Sequence, residues 1–301
     1  MVAAIAEHLH PHRLEVVNAD SRQVYKGLNI GTAKPPVSLL AAVPHHLLDI
    51  IEPSEDFSAA DFVRRAGVAV EQIRARGSVP LVVGGAMFYV RTMLYGVPET
   101  PPSDPAVREA LVVRVERDGL PAIHAELATV DADTARRLHV NDRSRILRAM
   151  EVYQLSGRPL STFRSTSHSA QPEVCVFAAR RERSELYARV ELRVEQMMAE
   201  GLAEEVAQLV ASGFGPDAPG MGSIGYAEFF DADGGLRGGD ALGQVVALTK
   251  RNTRRFAKRQ MTFAMRLPVS VWIDLDIDDL AGWDSPTAAA AAIAEVLVGA
   301  S

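Results

Sequence analysis

The chain has 301 residues, 48% hydrophobic and 23% charged, proportions that fit a folded domain and exclude a disordered or fibrous chain. Its 32 Lys+Arg against 38 Asp+Glu leave a net charge of −6, which argues against a uniformly basic nucleic-acid coat while leaving local clusters open. A single cysteine, Cys175, excludes an internal disulfide framework and a cysteine-based zinc site.

Residues 1–9 read as a helix and RLEVV, at 13–17, as a strand, so the chain opens on a helix where a parallel α/β protein normally opens on a strand and a loop. NADSRQVY follows that strand and puts Asp20 just past its end. Ligands of parallel sheets bind beyond the carboxyl ends of the strands, which makes Asp20 a candidate site residue. The alternative is that Asp20 or Ser21 only caps a short helix. IGTAKP, at 30–35, offers Thr32 and Lys34 beside turn residues, either for a phosphate or as an ordinary surface loop. His45 and His46 have no partner at metal-ligand spacing and are expected to be structural. A helix is expected over 62–76 and a strand, VPLVV, over 79–83. Gly84 and Gly85 then permit a tight turn and close approach of backbone to ligand.

Between 104 and 169 no strand candidate stands out. Three helical stretches, 104–119, 120–130 and 131–154, lie between the loop-rich segments 98–105 and 156–172. They read as a helical lobe, 105–169, inserted into a core made of 1–104 and 170–301. Two further strands are expected, EVCVFAA at 173–179 and VSVWIDL at 269–275. A helix over 184–212 carries Leu186, Val190, Val194, Met197, Val206 and Leu209 as an apolar stripe, and 288–299 reads as a terminal helix. The strand candidates are β-branched without clean alternation, as in strands covered on both faces, and their alternation with helices predicts a mostly parallel sheet.

Basic residues are clustered. Arg136, Arg137, Arg143, Arg145 and Arg148 lie close together, and KRNTRRFAKRQ, at 250–260, holds six basic residues and no acidic one. Lys250, Arg254 and Lys258 are spaced i,i+4, as are Arg251, Arg255 and Arg259, so a helix would set the two rows side by side as one basic face. An unmixed basic face on an acidic protein points to a polyanion, whose phosphates would fix affinity and position. Phe256 and Phe263 are expected to pack rather than stack on bases. No apolar run approaches the roughly 20 residues of a membrane span. The N-terminus lacks a basic segment followed by an apolar stretch, so a cytoplasmic protein is expected.

The strings NADSRQVYKGLNIGTAKP, VPHHLLDIIEP, NDRSRILRAMEVYQLSGRPLS, GLAEEVAQLV, IGYAEF and KRNTRRFAKRQMTF, in this order, resemble the bacterial tRNA dimethylallyltransferases, and the resemblance covers nearly the whole chain. It implies an α/β fold with a P-loop NTPase-like parallel sheet core and an inserted helical lobe. It also implies transfer of a dimethylallyl group from dimethylallyl diphosphate to N6 of an adenosine next to the anticodon of tRNA, with Mg²⁺ as cofactor. By position it implies that Asp20 is the general base and that Asp20, Ser21, Arg22 and Gln23 contact tRNA. Further tRNA contacts are implied at Ala86, Arg108, Ser144, Arg145, Ile146, Leu147, Arg148, Lys258, Arg259 and Gln260. Arg193, with Arg189 as the alternative, would neutralise the departing diphosphate. Thr32, Lys34, Gly84 and Gly85 would line the substrate pocket, while the metal ligands stay unassigned. No membrane and no obligate protein partner is implied.

The sequence departs from the family pattern in places. No GxxxxGK[ST] motif occurs in the 301 residues, and Met1 falls at about the first helical turn after the place of that loop. The expectation is a start placed too far downstream. A sheet lacking one parallel strand would keep unpaired backbone groups, and a purified chain beginning at Met1 would be weak in transfer and in stability. Ala86 stands where the family usually has threonine, and Gly222 and Ala227 replace longer polar or basic residues around IGY. Three other readings are open: a transferase acting on free adenine nucleotides, a non-catalytic tRNA-binding protein, and a nucleotide-kinase-like protein supported by fold analogy alone.

Overall fold

A computed structural model describes residues 1–163, 174–275 and 286–299. Its first helix, α1 (Val2–His8), leads into strand β1 (Leu14–Asn18), all five residues of which are buried. After a long irregular segment and α2 (Val37–Ala42), the two-residue strand β2 (His45–His46) pairs parallel to β1. Helix α3 (Ala59–Ala75) starts at Ser58, whose side chain accepts the Asp61 amide while the Asp61 carboxylate accepts the Ser58 amide, a reciprocal cap that satisfies two end groups. Strand β3 (Val79–Val83) pairs parallel to the other side of β1, giving the order β2-β1-β3, and α4 (Met87–Tyr95) follows it.

Alternation along β1 sends its side chains to two cores. Leu14 and Val16 pack with Ile5 and Leu9 of the first helical segment, while Val17 and Ala19 pack with Phe62, Ala66, Ala69 and Ile73 of α3.

Residues Tyr95–Ser169 form a compact unit of their own, built from α5 (Pro105–Asp118), α6 (Leu120–Val130), α7 (Ala132–Arg137) and α8 (Arg143–Ser156). The expected boundary at 104/105 thus falls ten residues earlier. The reason is local: the buried Glu151 carboxylate of α8 accepts the Ser103 hydroxyl at 2.6 Å and the Asp104 amide at 2.9 Å, which binds the 98–104 loop to the helices. The single helical run expected over 131–154 is broken at 138–142, between α7 and α8.

The other unit comprises Met1–Leu94 and Ala170–Ser301. Its second part begins with β4 (Phe177–Arg180), later than the expected 173–179; Glu173 and the loop from 164 onward lie outside the described residues. The helix expected over 184–212 is two helices, α9 (Arg183–Ala199) and α10 (Leu202–Ala211), separated at Gly201, which has φ +98°. Glycine takes that left-handed backbone without a Cβ penalty, and the chain changes direction there. Helix α11 (Leu242–Ala264), strand β5 (Val271–Asp274) and α12 (Pro286–Gly299) complete the unit.

The strands β4 and β5 pair parallel to each other, so the expected single sheet is two parallel sheets. Among the described strands, full cover on both faces holds for β1 alone. The strands β3, β4 and β5 are only partly buried, and β3 has no strand partner beyond β1 among the described residues. A third core joins Val24, Tyr25 and Leu28 to Met197, Leu202, Val206, Tyr226, Phe229 and Val245, and so fastens the segment after β1 to α9, α10 and α11.

Candidate active site

The register pairing Asn18 with Val83 brings the exits of β1 and β3 together. At that exit Asp20 Oδ1 accepts the Arg22 amide at 2.7 Å and the Gln23 amide at 3.3 Å. The side chain therefore caps a turn, not the short helix named as an alternative, and it does so with one oxygen. Oδ2 has no hydrogen-bond partner among the described residues. The GGA turn after β3 wraps against the same exit. Ala86 N donates to Ala19 O at 3.1 Å, and a Cβ on Gly84 would fall 2.1 Å from that carbonyl, so only glycine fits.

Helix α11 reaches this turn through Gln260, whose amide donates to Gly85 O at 2.9 Å. A Cβ on Gly85 would stand 2.2 Å from Gln260 Nε2. Helix α9 supplies Arg193. Crowding by protein pushes its guanidinium below the ordinary arginine value, and the Asp20 carboxylate pulls it back up. The residue is nonetheless exposed to solvent. Arg193 makes no hydrogen bond or ion pair with a described residue, whereas Arg189, exposed like it, donates to Glu185 at 2.9 Å. Of the two arginines, Arg193 is the one on which the pull of the Asp20 charge is seen.

Thr32 and Lys34 sit differently from an open phosphate site. The Thr32 hydroxyl donates to Leu28 O, and Lys34 Nζ donates to Tyr25 O at 2.7 Å and Asn29 Oδ1 at 3.0 Å and pairs with Asp49. The Lys34 side chain is 7% exposed, so its donors are spent inside the loop. Gln23 turns to this loop as well, donating to Thr32 O at 3.0 Å and Ala33 O at 3.1 Å. Arg22 is exposed and donates to Pro219 O at 3.3 Å, and Ser21 lies half-buried beside it.

The basic helix α11 is not one unmixed face. Lys250 and Arg254 pair with Glu195 at 2.6 Å and Glu191 at 2.8 Å, both on α9. An acidic row on one helix thus consumes one of the two basic rows, which the pattern of α11 alone does not reveal. Arg251, Arg255 and Arg259 stay exposed, together with Lys258 at the end of the first row. Arg255 and Arg259 line an open cleft of about 270 Å³ with Gly222, Ile224, Ala227, Glu228 and Asn252. Phe256, expected to pack, is 39% exposed and lies under the Arg259 guanidinium, 5.9 Å from its ring centre.

In the separate helical unit, Ser144 and Arg145 are exposed at the start of α8, and Arg145 pairs with Asp142 at 3.3 Å. Ile146 and Leu147 are buried in that unit's core, so their side chains are unavailable to an external partner. Arg148 turns inward to Glu151 at 2.7 Å and Pro101 O at 2.5 Å, and Arg108 stands 4.0 Å from Glu151. Burial raises the Glu151 carboxyl, while the Ser103, Arg148 and Asp104 hydrogen bonds bring it below its ordinary value.

His45 and His46 are structural as expected. His46 Nε2 lies 2.8 Å from Glu15 Oε2, and Arg76 closes on the same carboxylate at 2.6 and 2.7 Å. Among the described residues no three His, Cys, Asp or Glu side chains converge as metal ligands, and no helix is long and apolar enough to cross a membrane.

The family model described as IPP transferase matches residues 23–266. The chain is 46% identical over 264 residues to tRNA dimethylallyltransferase 1 of Citrifermentans bemidjiense, covering 86% of this chain and 83% of that protein. It is 48% identical over 251 residues to tRNA dimethylallyltransferase 2 of Geotalea uraniireducens, covering 83% and 80%. Among solved structures it resembles the tRNA isopentenylpyrophosphate transferase of Bacillus halodurans, with TM-score 0.67, 32% identity and coverage of 99% and 91%. It also resembles a eukaryotic dimethylallyltransferase acting on tRNA, with TM-score 0.77, 25% identity and coverage of 99% and 75%.

Proposed function

The chain belongs to the IPP transferase family, and from that premise we propose that it transfers the dimethylallyl group of dimethylallyl diphosphate to N6 of an adenosine next to the anticodon of tRNA. The observation that carries this reading to named residues is Asp20 at the exit of β1, with one carboxylate oxygen bonded to the turn and the other without a hydrogen bond among the described residues, and with Arg193, itself without a hydrogen bond or ion pair there, close enough to feel its charge. The N6 lone pair forms the new bond to the allylic carbon. The carbon–oxygen bond to diphosphate breaks, its electrons staying on the leaving group, and the N6 proton passes to Asp20 Oδ2. Arg193 is suited to the negative charge that builds on the diphosphate, since a guanidinium placed where that charge develops lowers the barrier. Holding the two substrates in line is a positioning task, served by the glycine turn that Gln260 braces.

Reaching N6 of a stacked base requires its extrusion, which costs a few kcal/mol and needs a grip on the surrounding RNA. Arg255, Lys258 and Arg259 on α11 are exposed groups suited to that grip. In the helical unit, taken by itself, Ser144 and Arg145 at the start of α8 are exposed groups suited to an RNA contact. Mg²⁺ is usually held by one or two carboxylates plus substrate phosphates. Among the described residues no all-protein cage is found, and an ion held in this way would come with the diphosphate. The place of action proposed is the cytoplasm.

The test is an end-point assay with stoichiometric protein, allylic diphosphate labelled in the prenyl group, and tRNA lacking the modification. Label on the adenosine next to the anticodon, undiminished by excess AMP, is the expected result. Salt-dependent tRNA binding without any label would replace this reading with a non-catalytic one. Label moving to AMP would make the acceptor a free nucleotide.

A further inference from the structure

The Glu205 carboxylate on α10 is engaged by a loop far from it in sequence. Its oxygens accept the amides of Asn29 at 3.1 Å, Ile30 at 3.0 Å and Gly31 at 3.5 Å. Tyr226, fully buried, donates its hydroxyl to Glu205 Oε1 at 2.6 Å, and that hydroxyl also accepts the Gly31 amide at 3.1 Å. Three successive backbone amides converging on one anion form the kind of nest that elsewhere cradles a phosphate. Here a carboxylate of the same chain fills it, so the loop is a held element and not an open anion site.

The hold is tight on the loop side. A Cβ on Gly31 would lie 2.4 Å from the Tyr226 ring, so the loop seats at this depth only with glycine. From the loop the connections run on to the active site. Thr32 O and Ala33 O accept the Gln23 side-chain amide, and the Gln23 backbone amide donates to Asp20 Oδ1. Lys34 fixes the end of the same loop to Tyr25 O and Asp49.

We propose that Glu205 and Tyr226 are positioning residues: they set the 29–34 loop, and through Gln23 they set the turn that keeps Asp20 Oδ2 directed to the acceptor base. This rests on the transferase reading above. It assigns Thr32 and Lys34 to the same brace.

The test uses Glu205→Gln, which keeps length but replaces one acceptor oxygen by a donor NH₂, and Tyr226→Phe, which keeps the ring and removes only the hydroxyl. Gly31→Ala attacks the same contact from the loop. Amide hydrogen exchange is read together with kcat and KM, in the wild-type and Asp20→Asn backgrounds. In both Glu205→Gln and Tyr226→Phe the 29–31 and 22–23 amides should exchange faster while those of α3 do not change. For Glu205→Gln, kcat should fall about tenfold to a hundredfold with KM for tRNA within about threefold, since small misplacements of a reacting group cost this much. The loss should largely vanish in the Asp20→Asn background, because both changes act through one group. An unchanged kcat in the faster-exchanging variants, an equal loss in both backgrounds, or exchange rising across the whole chain would each overturn the proposal. A wild-type chain without transfer activity would overturn the transferase reading instead, which separates the two failures.

Discussion

Asp20 Oδ1 holds the Arg22 amide at 2.7 Å, and this bond leaves Oδ2 without a hydrogen-bond partner among the described residues. The division of labour within one carboxylate predicts the outcome of Asp20→Asn. An asparagine can keep its carbonyl on the Arg22 amide, so the turn survives, but it cannot take a proton. Turnover should drop by about 10²–10⁴-fold, the usual worth of a general base, while tRNA binding in a gel-shift titration stays close to wild type. Arg193→Gln should lower kcat strongly, and Arg189→Gln, which only loses an exposed ion pair with Glu185, should stay within about twofold. Steady-state kinetics on the two variants side by side checks this. Asp20, Gly84 and Gly85 were legible because strand ends in parallel sheets mark sites, and polar or glycine residues directly after an apolar run stand out. Arg193 was not legible from pattern, since the run from 183 to 199 carries several arginines and only the packed helix shows which one faces Asp20. Glu205, Tyr226 and Gly31 were quoted in family-like strings without a role, because their contacts join positions 174 to 195 residues apart.

At the scale of elements, the ion pairs between α9 and α11 decide what the basic helix can offer. Lys250 and Arg254 serve the packing of the two helices, and Arg255 and Arg259 face the open cleft. Arg255→Glu with Arg259→Glu should therefore weaken tRNA binding and reduce the slope of log K against log salt by about 1.5, the contribution of two phosphate contacts. Lys250→Ala should chiefly lower the melting temperature. Binding isotherms at several salt concentrations distinguish the pairs. A second inter-element tie lies at Glu15, where β1, β2 and the end of α3 meet. Hydrogen bonding from Arg76 outweighs the upward push of burial, and with His46 and Ser78 it holds the carboxyl down at about 2, against an ordinary 4.5. A folded value below the unfolded one stabilises the protein above about pH 4.5, and that contribution is lost as pH falls toward 2. Glu15→Gln should destabilise the protein by about 1–3 kcal/mol at neutral pH and flatten the acid limb of a melting-temperature profile. The short strand β2 escaped sequence reading because two residues carry no period. The break between α9 and α10 had a visible signal, Gly201, which the surrounding helical pattern masked.

For the molecule as a whole, the parallel strands and the helical lobe were readable from alternation and from the absence of strand patterns between 104 and 169, while the division into two sheets was not. Strand pairing is decided by which edges meet, and apolar runs look alike whether one edge is paired or two. The edge of β3 away from β1, unpaired among the described residues, has its own chemistry. Val79 N donates to Arg13 O and Val83 O accepts from Ala19 N, so the odd-numbered residues of β3 bond toward β1 and Pro80 and Val82 turn their backbone outward. Proline has no N–H. The outer rim of β3 thus presents two carbonyls but a single amide, and a foreign chain laid against it finds one donor where a ladder needs a series. Pro80→Val should leave prenyl transfer unaltered and accelerate light scattering in concentrated, warmed solution, with catalysis and clouding followed on one sample; equal clouding rates would remove this role from Pro80. One absent hydrogen, on a strand that ends beside the candidate site, would then set how long the protein lasts without sticking to itself.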